Sequence, residues 1–71
     1  MNYYKIDVVG KDGYSFMVCS NDKMNECEAI DASSQAGLFL DADDAHYAVV
    51  DDLISQQDID HFIEWGCCHQ I

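Results

Sequence analysis

Two stretches near the start of the chain alternate apolar and polar side chains. Across residues 2–9, Tyr4, Ile6 and Val8 fall on one side and Tyr3, Lys5, Asp7 and Val9 on the other, which is the period of a half-buried strand. Residues 14–20 alternate again, with Tyr14, Phe16 and Val18 sharing a face. Between them, Gly10-Lys11-Asp12-Gly13 supplies Asp-Gly turn chemistry. Residues 2–20 therefore predict a β-hairpin.

The period then changes. Met24, Cys27, Ile30 or Asp31, Ser34 and Leu38 recur at helical spacing, and Ala29, Ala32 and Ala36 suit a helix over 22–36. Ser20, Asn21 or Asp22 would cap its start, and Gly37 would end it. Glu26 and Glu28 would sit at the end where the helix dipole favours acids. Leu38-Phe39-Leu40 reads as an apolar plug and Asp41–Asp44 as a polar loop. Residues 46–51 (HYAVVD) are β-branched and aromatic at their centre and predict a third strand, with a continued helix as the alternative. Ser55-Gln56-Gln57-Asp58 has capping-box spacing, Ile54 and Ile59 match a hydrophobic staple, and Gly66 stops the helix. Ile59, Phe62 and Ile63 give that helix its apolar face, with Trp65 near the edge. The tail Cys67–Ile71 reads as frayed or as a short edge strand. The expected fold is α+β, in the order ββαβα. A small antiparallel sheet, the hairpin plus the third strand, carries both helices on one face. Residues 1–71 form a single compact domain.

Charge changes the picture more than any motif does. Fourteen acids face three lysines and no arginine, for a net charge of −11. Lys5, Lys11 and Lys23 are balanced by Asp7, Asp12 and Asp22, so the first 23 residues are neutral. The other eleven acids lie between residues 24 and 71 with no lysine or arginine among them. Such an excess opposes compaction through self-repulsion. It disfavours direct contact with DNA, RNA or anionic lipid, which need cationic side chains, and favours a basic partner. No apolar run is long enough to span a membrane, and the N-terminus lacks the pattern of a signal peptide. Cys19, Cys27, Cys67 and Cys68 accordingly read as reduced thiols of a cytoplasmic protein.

The candidate chemistries are few. Cys67, Cys68, His69 and His61 are zinc-type ligands, but their spacing matches no common zinc pattern. Asp41-x-Asp43 opens like a calcium loop. Ala45, His46 and Asp52 then stand where that loop needs a ligand, a glycine and a glutamate. No spacing selects a Cys–His nucleophile pair or a carboxylate dyad, and no glycine loop cradles phosphate. Neither a metal nor a cofactor is expected, and the chain reads as non-enzymatic.

What is left is the acidic stretch 41–60, which holds seven aspartates. Asp41, Asp43, Asp44, Asp51, Asp52, Asp58, Asp60 and Glu64 are the candidate partner-binding residues. Asp43-Asp44 and Asp51-Asp52 flank the expected third strand, roughly 20 Å or a little more apart at 3.3 Å per residue. Duplex DNA carries one charge per about 1.7 Å of axis, and an array of carboxylates imitates that field. In size, missing arginine and the DADD…DD…DID pattern, the chain resembles small acidic phage proteins directed against host defence, the anti-CRISPR and anti-restriction DNA mimics. The resemblance is one of size and charge over the whole chain and carries no motif. It implies a stoichiometric inhibitor in the host bacterial cytosol that occupies the DNA-binding or PAM-reading groove of a nuclease complex. Burying so acidic a face in a dimer is disfavoured, so a monomer is expected. The alternative is a small cytosolic adaptor that binds through an apolar patch around Tyr47, Phe62 and Trp65, its acids serving solubility alone.

Overall fold

The computed structural model describes residues 1–10, 13–53, 55–66 and 68–71. Strands β1 (Asn2–Val8) and β2 (Tyr14–Ser20) pair antiparallel as the expected hairpin, with Tyr4 opposite Val18 and Ile6 opposite Phe16. The Lys11-Asp12 centre of the turn lies outside the described residues. Helix α1 (Glu26–Gln35) follows, then a 3₁₀ helix (Ala42–Tyr47), strand β3 (Ala48–Leu53), helix α2 (Gln56–Trp65) and strand β4 (Cys68–Gln70). The sheet order is β3-β1-β2-β4.

The fold is α+β with its elements in the expected order, and two details of the packing differ from expectation. The sheet is mixed, because β4 pairs parallel with β2. The helices also lie on opposite faces of it. The first face buries Tyr4, Ile6, Phe16 and Val18 beneath Met24, Leu38 and Phe39, which flank α1. The second buries Met17 beneath Ile59 and Phe62 of α2, with Tyr3, Leu53 and Cys68 at the margin. Connection handedness accounts for this. β2, β3 and β4 run in one direction, so β2–α1–β3 and β3–α2–β4 are both parallel crossovers, and they traverse the sheet in opposite senses. A common hand for both, the rule for such crossovers, requires opposite faces. β2 is therefore covered on both sides, and Phe16 through Ser20 are all buried.

Local chemistry moves three boundaries. α1 starts at Glu26, because Asn25 and Glu28 form the capping box: the Glu28 N–H donates to Asn25 Oδ1 (2.8 Å) and the Asn25 N–H to Glu28 Oε1 (3.1 Å). Ser20, Asn21 and Asp22 precede it. Ser55 occupies the N-cap of α2 but makes no side-chain cap bond. A capping box needs Glu or Gln to reach back, and Asp58 is one methylene shorter. The Ile54 half of the expected staple lies outside the described residues. The 3₁₀ helix replaces the expected loop and displaces the third strand to 48–53. Gly37 and Gly66 do end their helices, at φ +71° and +73°, the left-handed region that favours glycine.

Tyr14 fixes the 3₁₀ segment against the hairpin. Its hydroxyl donates to Asp44 Oδ2 (2.7 Å) and accepts from the Leu40 N–H (2.9 Å). Burial, then the bond to Asp44, raises the Tyr14 pKa above its ordinary value. A raised phenol contributes stability below its unfolded pKa and loses it as pH rises through the folded one. Tyr14→Phe should therefore lower unfolding free energy at neutral pH by about 1–2 kcal/mol, since the bond has a charged acceptor but is partly solvated. The variant should also show a shallower decline in stability above about pH 10. Urea denaturation at pH 7 and pH 10.5 measures both; equal stability at pH 7 would show that the bond contributes nothing.

Candidate functional site

The structure divides the eight candidate carboxylates into separate groups. Asp41, Asp43 and Asp44 stand at the 3₁₀ end. Asp41 caps that helix, its Oδ1 accepting from the Asp43 N–H at 3.1 Å, and Asp44 is held by Tyr14. Asp51 and Asp52 are neighbours on β3 and point to opposite faces. Asp51 stands opposite Lys5 on the α2 side, and Asp52 opposite Tyr4 on the α1 side. On α2, Asp58 turns toward the sheet, whereas Asp60 and Glu64 share another flank, where Gln56 Nε2 donates to Asp60 Oδ1 at 2.9 Å. The candidates thus wrap one end, both faces and a helix. Between residues 24 and 71 every acid is exposed except Asp44, which is half-buried.

The wrapping has a local cause. Aspartate has no apolar face to bury, so each carboxylate goes wherever its element meets water. Alternation on β3 sends Asp51 and Asp52 to opposite sides, and the helical period separates Asp58 from Asp60. Among the described residues the one ion pair is Lys5 with Asp7, at 3.3 Å. Asp7 also accepts a hydrogen bond from the Ser15 hydroxyl. The cations of the chain therefore leave most of the carboxylate field uncompensated.

Among the clefts beside these acids, two border an exposed aromatic side chain. One, of about 630 Å³, lies between α2 and the second sheet face and is lined by Lys5, Ser15, Asp51, Leu53, Asp58, His61, Phe62 and Trp65. The other, of about 640 Å³, lies at the 3₁₀ end among Val8, Tyr14, Leu40, Asp41, Asp44 and Tyr47. Tyr47 and Trp65 are both exposed but line different clefts, and Phe62 is buried. The expected single apolar patch is therefore split in two. Sequence reasoning missed Lys5, Ser15 and Leu53 as neighbours of the acids. Tyr14 belongs to the apolar alternation of the hairpin, and its polar tip carries no periodic signal.

The Cys/His tail disperses. Cys68 lies on the second face with its Sγ 3.9 Å from that of Cys19, and His69 lies on the first, edge-on to Phe16. Burial, then the Cys19 thiol, pushes the Cys68 thiol pKa up. Cys67 is outside the described residues. No group of three metal-ligating side chains converges among the described residues, and no described helix is long and apolar enough to cross a membrane. No family model, curated protein or solved structure matches the chain.

Proposed function

We propose that this protein is a non-enzymatic inhibitor that places its acidic surface in the basic DNA-binding groove of a host defence nuclease, a CRISPR-Cas complex or a restriction enzyme. The observation that carries the reading is the uncompensated charge of a single sign between residues 24 and 71. Eleven carboxylates along a 30 Å long axis make about one per 3 Å, against about one per 1.7 Å of duplex. The other dimensions, 23 and 17 Å, suit a groove shaped for one duplex. Acids on one end, both faces and a helix suit a groove that encloses its ligand better than they suit a flat partner. The protein would act in the cytoplasm, as a monomer, without cofactor.

The test is competition. Labelled duplex DNA bound to RNA-guided and DNA-cleaving nuclease complexes is titrated with the protein. The expected result is displacement from one complex and not the others. Exposed charge pairs contribute about 0.2–1 kcal/mol each. Joint replacement of Asp43, Asp44, Asp51 and Asp52 by Asn should therefore raise the concentration needed by about fourfold at least. Undiminished displacement by that variant would remove these residues from the interface, and no displacement from any complex would end the reading.

One observation favours the adaptor reading. Val9, Leu40 and Tyr47 cluster at the 3₁₀ end and are 64%, 83% and 59% exposed. An apolar interface there would bind with little response to salt, which separates it from charge pairing.

A further inference from the structure

α2 covers only part of the second sheet face, and the cleft beside it has a composition unlike the rest of the acidic surface. On α2, Asp58, His61, Phe62 and Trp65 recur at i, i+3, i+4 and i+7, the spacing of one helix flank. Lys5, Ser15, Asp51 and Leu53 face them from the sheet. Asp51 and Asp58 thus approach one space from opposite walls. Lys5, the cation in that space, is paired with Asp7. The α2 wall is also aromatic: Trp65 is 64% exposed, and its ring lies tilted against that of His61 with centroids 4.0 Å apart.

Resting on the reading that the partner is a basic protein, we infer that this cleft seats one arginine side chain of that partner. Two carboxylates beside an indole fit a guanidinium in two ways at once. Its planar fork donates in pairs to a carboxylate, and its weakly hydrated face stacks on the ring. Leu53 and Phe62 offer apolar surface to the methylene stem. A lysine ammonium is a compact, strongly hydrated charge that satisfies only the first requirement. A divalent cation wants six or more oxygens around it, and the aromatic wall offers none. The cleft therefore adds a preference for arginine to a surface that otherwise answers to charge alone.

Trp65 is the chain's one tryptophan, so its emission reports on this cleft. The intact protein is titrated with an acetylated, amidated Gly-Arg-Gly peptide and with its Gly-Lys-Gly counterpart at matched ionic strength. The expected result is a saturable change in emission, with half-saturation at least fivefold lower for the arginine peptide. Asp51→Asn with Asp58→Asn should weaken it about tenfold. Glu26→Gln with Asp31→Asn, on α1 at the other face of the sheet, removes the same charge and should leave it unchanged. Circular dichroism of each variant verifies the fold. Equal half-saturation for the two peptides, a loss in the α1 double variant as large as that in the cleft double variant, or the same emission change with calcium chloride would each overturn the inference. Failure here, with DNA displacement intact, leaves the acidic-surface reading standing; loss of displacement by itself leaves the peptide result unaffected.

Discussion

Replacing Met17 by alanine is expected to leave a readily measured fraction of the chain unfolded at 25 °C. Met17 is fully buried on the second sheet face, under Ile59 and Phe62. Truncating a buried methionine costs about 2–5 kcal/mol, the removed transfer energy plus the cavity that remains. A core in a chain this short rarely supplies more than about 3–5 kcal/mol. Self-repulsion of eleven excess acids lowers that further. The loss is therefore comparable to the whole stability. Met17→Leu nearly conserves volume and should cost under about 1.5 kcal/mol. Val49→Ala, on the same face but 46% exposed, should fall within about 0.5 kcal/mol of the parent. Urea titrations followed by circular dichroism rank the three. An alanine variant as stable as the parent would mean that α2 docks without contributing to the cooperative fold.

The same residue shows where the sequence was legible and where it was not. Alternation in β1 and in Tyr14, Phe16 and Val18 located the hairpin and its first apolar face correctly. It said nothing of Met17 and Cys19, yet Phe16-Met17-Val18-Cys19 is a continuous apolar run, the mark of a strand buried on both sides. Reading it so would have put α2 on the opposite face from α1. Parallel pairing was harder to see, because β4 is three residues, Cys68–Gln70, and owes its place to β2 rather than to its own pattern. At α1, Asn25 and Glu28 carried the capping-box spacing, and Ser20–Asp22 drew attention away from it. Ser55 and Asp58 carried a weaker version that does not close. The acids were legible as a quantity but not as a geometry: spacing along the chain joins Asp51 to Asp52, and the strand separates them. Asp58, which would have been absorbed in a cap, instead lines a cleft.

The concentration of protein needed to displace duplex DNA is expected to fall as salt rises from 50 to 200 mM, by about tenfold or more. The reason is a difference in charge density. DNA binding weakens with salt in proportion to the phosphates neutralised, and a site with six to ten such contacts loses about 10³–10⁵ in affinity over that range. The protein offers about one carboxylate per 3 Å of its long axis where the duplex offers one per about 1.7 Å. It therefore pairs with fewer cations in the same groove and holds a more diffuse counterion atmosphere. Its own affinity should decline with salt, less steeply than that of DNA, so the balance shifts toward the protein. Direct titration of the labelled protein into its nuclease supplies the second slope. A salt-independent affinity would point to the Val9, Leu40 and Tyr47 end as the interface. A slope as steep as that of DNA, with a displacement concentration that does not fall, would mean that a chain with fewer charges per length neutralises as many cations as the duplex. Charge density would then not distinguish the protein from the duplex in that groove.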